Sequence, residues 1–572
     1  MKNPRGKSRA KSKIKSSIKK RSAAAGNTQA LRAGKAAGVR RTAGFGKPTG
    51  IGRSSGSGKA RNGSGTASDP LMELEQLLYS RREFPEKVLE EAKNIPEKLT
   101  PEKIAAEISK GRRDLRGKVI VTIDGEDTRD VDDGVSLERK NGGGWLLGVH
   151  IADVAHYVKK YSAIDDEAYR RGTSVYFPDK VLPMLPKELS NGICSLNVGK
   201  DRFALSVMME LGPDGMIASH EIFESVIKVQ YKITYEQYYD LFEGPDFRRA
   251  ELEKTYSRHV RMLSDMRELA GLRRSIRKKR GALDFEFPET KISIGANGEP
   301  DGIFPADITF ANGVIEEFML AANETVAEHF SALEVPFIYR NHPAPEKDRL
   351  EELDGAVRRL GYTLLNRRGE LIPGSISDMI DASRDTKSGR LIQTLVLTSM
   401  GKAVYSADSS GHFGLASPKY THFTSPIRRY PDLYIHRVIK ESLYGARPGT
   451  LRERFTDARE TAEASSESER EAERCERLYT DKLAARYMAG FLGEEFVGTV
   501  SGITSFGIFV MLDNSAEGLL FYSDMPDQMI FDQKNLSAKG RFTGRTYRYG
   551  DRIEVIIAAS DEKTGRIQFQ LS

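Results

Sequence analysis

The sequence predicts an α+β protein that ends in a small β-barrel. Three observations carry this prediction: β-branched runs interleaved with helix-periodic stretches over residues 116–450, a long charged helical pattern after them, and short strands with glycine turns from about residue 494 onward. At 572 residues the chain is too long for one ordinary domain.

Taken in order, residues 1–68 hold 18 Lys and Arg and no Asp or Glu. Taken from the net charge of +7, those 18 leave about −11 for the rest, so the body is acidic and the tail carries the basicity. The tail is low in complexity and too poor in apolar residues to bury a core, which predicts a disordered basic arm. Such an arm attracts polyanions by counterion release. An organelle-targeting leader is the alternative, and lysine dominance in the first twenty residues favours an RNA-binding tail over it. Gly58-Lys59 lacks the spacing and the preceding strand of a phosphate loop.

Residues 69–115 read as a helical linker, with LMELEQLLYS, FPEKVLEEA and TPEKIAAEISKG each periodic and prolines near helix starts. The strand KVIVTI follows, then an acidic loop, GVSLERK, a turn at Asn141 to Gly144, and WLLGVHIADV. Further strands and helices such as VIEEFMLAANETVAEHF complete one large domain over 116–450. A connecting helix spans 451–493, and 494–572 carries the barrel.

Composition is that of a soluble globular chain, with 39% hydrophobic and 30% charged residues. Cys194 and Cys475 cannot make a disulfide framework or a structural zinc site alone, so the expected compartment is the cytoplasm. No run approaches the ~18 apolar residues of a membrane span, and no secretory core is present at the N-terminus.

The segment TIDGEDTRDVDD places Asp124, Glu126, Asp127, Asp130, Asp132 and Asp133 against a single Arg129. Packed carboxylates repel unless cations or solvent intervene. Oxygen-only ligands completed by a substrate phosphate suit Mg²⁺ or Mn²⁺, and two such ions would stabilise the attacking and leaving oxygens of a phosphodiester cleavage. A calcium loop beginning at Asp130 fails, because its twelfth position is Asn141. A solvated acidic turn is the remaining rival for the loop in isolation.

Three further blocks shift that balance. RGTSVYFPDKVLPMLPKELSNGICSLNVGKDR (171–202) carries the pair Tyr176-Phe177, and RGALDFEFPE spans 280–289. In THFTSPIRRYPDLYIHR (421–437), Arg428, Arg429 and Arg437 crowd with Phe423, Tyr430 and Tyr434. Arginine interleaved with aromatics holds phosphates while stacking bases.

In this order, and together with VHIADVAHYV, these blocks resemble the RNB catalytic domain of the ribonuclease II and ribonuclease R family. EEFVGTVSGITSFGIFVMLDNSAEGLL resembles the start of the S-one type OB-fold that follows it. The resemblance implies that Asp124, Asp130, Asp132 and Asp133 bind metal and arrange the attacking water, with Asp132, and beside it Asp130, tied to catalysis. It implies that Arg428 steadies the scissile phosphate, with Arg429 among the RNA-binding residues. Tyr176 and Phe285 would clamp terminal bases, Glu317 (with Glu316 competing) would lie near the RNA 3′ end, and Tyr235 in ITYEQ is a further match. Cys194 and His150 read as packing and strand-end residues. The sequence departs from the family upstream, where the residues before Arg116 leave no room for two cold-shock barrels. It also stops at Ser572 without the basic C-terminal tail of many relatives.

The expected function is hydrolytic 3′-to-5′ degradation of single-stranded RNA to 5′-mononucleotides by a monomeric, Mg²⁺-dependent exoribonuclease in RNA turnover, with no membrane partner. An RNA-binding RNB-like protein and a phosphate-dependent nuclease are the alternatives. Clustered carboxylates serve no purpose in the first, and no phosphate pocket is identifiable for the second.

Overall fold

The computed structural model describes residues 70–572, apart from residues 286, 288, 387, 446–454 and 534–535. The expected basic arm, residues 1–68, lies outside the described residues. Helices Pro70–Ser80, Glu86–Lys93 and Pro101–Ser109 lead in, the last capped by Thr100, whose side chain accepts from the Lys103 N–H. The stretch read as a helical linker does not stay helical to its end: Arg113–Asp114 forms a strand, β1, in the main sheet.

The next strands are β2 (Val121–Asp124), β3 (Asp133–Arg139), β4 (Trp145–Ala152), the short hairpin β5 (Val175–Tyr176) and β6 (Val181–Leu182), then β7 (Asp201–Leu211), β8 (Ile217–Lys228) and β9 (Tyr231–Thr234). Seven of them form one sheet in the order β1-β8-β7-β4-β3-β2-β9. The outer pairs β1/β8 and β2/β9 are parallel and the inner pairs antiparallel. Strands β4 and β7 sit in the middle and are buried on both faces, which explains their nearly unbroken apolar runs. In β8 the first half alternates toward solvent and only the second half is buried.

Helices Val260–Lys279 and Phe310–Ala332 pack together and cover this sheet against β3 and β4. The main core runs through Trp145, Phe203, Phe318, Phe330 and Phe337. Two small two-stranded sheets follow, the hairpin of β10 (Thr290–Ile294) with β11 (Pro300–Pro305), and the antiparallel pair of β12 (Tyr339–Asn341) with the distant β13 (Val404–Ser406). A second, smaller core lies under helices Lys347–Arg358, Ser375–Ser383 and Gly389–Ser399.

The helix Phe455–Met488 then leads to the C-terminal region. There β14 (Glu495–Ile503), β15 (Gly507–Leu512), β16 (Glu517–Phe521), β20 (Arg552–Asp561) and β21 (Arg566–Leu571) close a barrel in the order β14-β15-β16-β21-β20. Between β16 and β20 the chain adds a separate sheet of β17 (Met529–Asp532), β18 (Ser537–Gly540) and β19 (Thr546–Arg548). The fold is thus the predicted α+β body with a small closed barrel. Among the described residues no helix is long and apolar enough to cross a membrane.

Candidate active site

The acidic loop begins where β2 ends. Asp124 closes β2 and Asp133 opens β3, so the loop between adjacent antiparallel strands brings both to one sheet end. Parallel pairing sets Thr234 beside Asp124, and Tyr235, the first residue of helix Tyr235–Glu243, follows directly. Burial raises the Tyr235 phenol well above its usual range, and the charges of Asp124 and Asp133 push it the same way. It therefore faces the carboxylates as a neutral hydroxyl.

The loop is held by groups outside it. The Ser195 hydroxyl donates to the Arg129 carbonyl (2.6 Å) and accepts from the Val131 N–H (3.1 Å). Lys232 on β9 donates to the carbonyls of Glu126 (2.9 Å) and Thr128 (2.8 Å). Sequence reasoning missed both residues, because their partners are backbone atoms and leave no side-chain pattern.

Asp132 is fully buried. Its carboxylate accepts from the Ile427 N–H at 2.9 Å, and its other oxygen lies 3.9 Å from Arg428 Nε. Arg428 also donates to the Ser425 hydroxyl at 3.1 Å. The block 171–202 is stitched to the same place: Ser174 N and Thr173 Oγ1 both donate to the Arg428 carbonyl, at 3.0 Å each, and Tyr430 N donates to Gly172 O at 2.9 Å. Gly172 takes φ +65°, and a Cβ there would lie 2.5 Å from Ser468, so no larger residue fits this junction. The stitching delivers Tyr176, whose hydroxyl donates to Asp130 at 2.8 Å while its N–H donates to Glu476 at 2.7 Å. Burial first and Asp130 second raise the Tyr176 phenol well above its usual range, so it remains the donor.

The remaining candidates divide. Arg429 turns inward, donating to Asp432 at 2.7 Å, and this buried pair fixes the loop because Asp432 also accepts from Ser425 N at 2.8 Å. Burial raises the Asp432 carboxyl, with Arg429 opposing it. Arg429 is thus engaged within the protein, where the sequence placed it among RNA contacts. Glu317 is likewise buried against Arg277, at 2.6 Å, whereas Glu316 is the half-buried neighbour whose charge acts on Tyr235. Phe285 packs in the second core with Leu350 and Leu353 and stacks on Phe287 at 6.4 Å, in a different cluster from the residues around the carboxylates. His150 hydrogen-bonds Ser136 and Ser206 inside the sheet, and Cys194 is buried.

The donor set of Asp124, Asp130, Asp132 and Asp133 is all carboxylate, the chemistry hard divalent cations select. Asp127, in the same loop, buries a carboxylate oxygen with no hydrogen-bond partner. Among the described residues no group of three or more His, Cys, Asp or Glu side chains is arranged to hold a metal ion. One oxygen of Asp130 accepts from Tyr176 and one of Asp132 from the Ile427 N–H.

A carboxylate-rich sheet end roofed by an arginine loop defines a class. The family described as the RNB domain matches residues 112–445, and that described as the S1 RNA binding domain matches 491–572. Ribonuclease R 1 of Lactococcus lactis is 39% identical over 88% of this chain and 61% of its own length. Ribonuclease R of Thermotoga maritima is 40% identical over 89% of this chain and 71% of its own. The apo form of Mycoplasma genitalium RNase R, at 30% identity, superposes with a TM-score of 0.78 over 88% of this chain and 78% of that one. The chain belongs to the RNB family, among the ribonuclease R proteins.

Proposed function

We propose that this chain is an exoribonuclease that hydrolyses single-stranded RNA from its 3′ end and releases 5′-mononucleotides, acting in RNA turnover. One observation carries the reading: Asp132, the Arg428 loop and Tyr176, far apart in sequence, converge on one loop of carboxylates. Mycoplasma genitalium RNase R is described in complex with ribose-methylated single-stranded RNA, which supports RNA as the substrate class.

Asp124, Asp130, Asp132 and Asp133 would hold two Mg²⁺ or Mn²⁺ ions, which supply positive charge to the attacking and leaving oxygens. Arg428 offers its planar fork to the scissile phosphate, tracking developing charge better than a lysine could. Tyr176 bears on the terminal base from the hairpin β5–β6, with its hydroxyl anchored on Asp130. Tyr235, whose phenol feels the charges of Asp124, Asp133 and Glu316, would face the last ribose. Glu317 and Arg429 act from behind, keeping the walls of the site in place through Arg277 and Asp432.

The test is incubation of pure protein with 5′-labelled and internally labelled RNA and Mg²⁺, with and without inorganic phosphate. Mononucleotide release without phosphate, with 5′-labelled fragments shortening in single steps, is expected. Nucleoside diphosphates would indicate phosphorolysis, and tight binding without degradation would make the chain an RNA-binding protein.

A further inference from the structure

The small sheet β17–β19 stands outside the closed barrel. Its inner face sets Phe531, Ala538 and Tyr547 in register and packs them into the barrel core. Its outer face aligns Ile530, Lys539 and Thr546, with Arg548 two residues further along the same side. The turn from β18 to β19 carries Arg541, Phe542 and Arg545, and Phe542 is 78% exposed.

This turn is built to hold the ring out. Asp527 accepts from Phe542 N (3.0 Å), Thr543 N (2.8 Å) and Thr543 Oγ1 (2.6 Å). A Cβ on Gly540 would fall 2.2 Å from the Asp527 carboxylate, so glycine is what lets that carboxylate reach the turn. At its base Tyr549 bonds Thr394 on the catalytic body at 2.8 Å, which ties the hairpin to the seam between barrel and body.

Among the described residues the cations here have no carboxylate partner, and Arg541 donates to the neutral Gln528 Oε1 at 2.8 Å. Among the described residues Lys539, Arg541, Arg545 and Arg548 make no ion pair, whereas nearby Arg552 grips Asp513 and Arg486 reaches Glu299 and Glu562. Arg541 lies 5.8 Å from the Phe542 ring and Arg545 lies 5.0 Å from that of Tyr547. Four cations without an ion pair among the described residues, flanking a rigidly presented ring on an acidic body, are complementary to a polyanion with stackable faces.

We propose that the hairpin is a holding site for single-stranded RNA, with one base stacked on Phe542 and the adjacent phosphates on Arg541 and Arg545. The proposal rests on the RNA-degrading reading above, and it is tested by binding alone. Full-length protein in EDTA is titrated with a ladder of fluorescent oligoadenylates, comparing wild type with Phe542→Ala, Arg541→Ala/Arg545→Ala and Phe542→Trp. Phe542→Ala is expected to weaken long RNA about ten-fold while leaving the shortest oligomers unchanged. The double arginine variant is expected to lower the log–log salt slope by ~1.4, at ~0.7 per lost phosphate contact, and Phe542→Trp to restore wild-type affinity. Unchanged affinity and salt slope on long RNA would overturn the proposal, as would an equal loss at every length or failure of tryptophan to rescue. Failure of the nuclease reading is separable, since it appears as no hydrolysis by the wild-type protein in Mg²⁺.

Discussion

Exchanging Asp132 for Asn isolates the charge of the most buried carboxylate in the site. Its backbone-facing oxygen accepts from Ile427 N, a contact that an amide oxygen preserves. The other oxygen lies 3.9 Å from Arg428 Nε, where two unit charges attract by ~4 kcal/mol at an effective dielectric constant of ~20. The variant loses that attraction and the charge available to a metal ion, but it is also relieved of desolvating a buried carboxylate. The two effects on folding oppose each other, so thermal stability should change little. Turnover should not survive so well: a preorganised charged group of this kind contributes ~10²–10³-fold, or ~2.7–4 kcal/mol. The assay is single-turnover decay of a labelled oligoadenylate, with affinity measured in parallel by anisotropy. Binding near the wild-type level with a rate below about a hundredth of it is expected. A variant that keeps more than that fraction would refute Asp132 as a catalytic group.

Three further predictions follow from other parts of the molecule. Tyr176→Ala removes the ring proposed to bear on the terminal base and should lengthen the end product seen on a sequencing gel, because stacking is worth ~1–3 kcal/mol per base; an unchanged ladder would leave Tyr176 as a packing residue. His150 is fully buried between two serines, and burial lowers its pKa to about 3, so the unfolded chain takes up its proton first as pH falls below ~6.5. Stability should therefore decline from pH 6.5 to 5 by ~2 kcal/mol through this group, and His150→Gln should flatten that part of the denaturation profile. Deleting residues 1–68 should weaken long RNA and reduce its salt dependence while sparing short oligomers, and equal affinity and slope would favour the targeting-leader alternative.

The acidic loop was legible because its neighbours are unambiguous: β-branched residues before Asp124 and the strand after Asp133 leave it no place but a sheet end. The barrel was legible from its strand and turn spacing. What could not be read was the side to which adjacent residues turn. Arg428 ends a turn closed on the Ser425 carbonyl while Arg429 is extended at the start of helix Tyr430–Leu443, so their side chains diverge, one toward Asp132 and one toward Asp432. Glu316 and Glu317 differ by one step of a helix, about 100°, which buries Glu317 against Arg277 at 2.6 Å and leaves Glu316 more exposed, 3.8 Å from the same guanidinium and with its charge felt by Tyr235. Phe285 carried a motif but lies in a core that depends on helices 347–399, whose packing no local pattern specifies. The bonds that join Thr173 and Ser174 to Arg428 span more than half the domain and both end on a backbone carbonyl, which carries no side-chain signature.

The helix Phe455–Met488 touches both ends of the molecule. Glu476 holds the Tyr176 amide, and Tyr479 packs on Phe177 at 4.4 Å and bonds Asp179 at 2.8 Å. Nine residues on, ~14 Å along the axis, Ala485 and Met488 are already part of the barrel core. The barrel and the tyrosine hairpin are therefore two jaws of one calliper with no joint between them. A movement of the barrel that carries this helix with it would also shift Glu476 and Tyr479, and through them the hairpin that presents Tyr176.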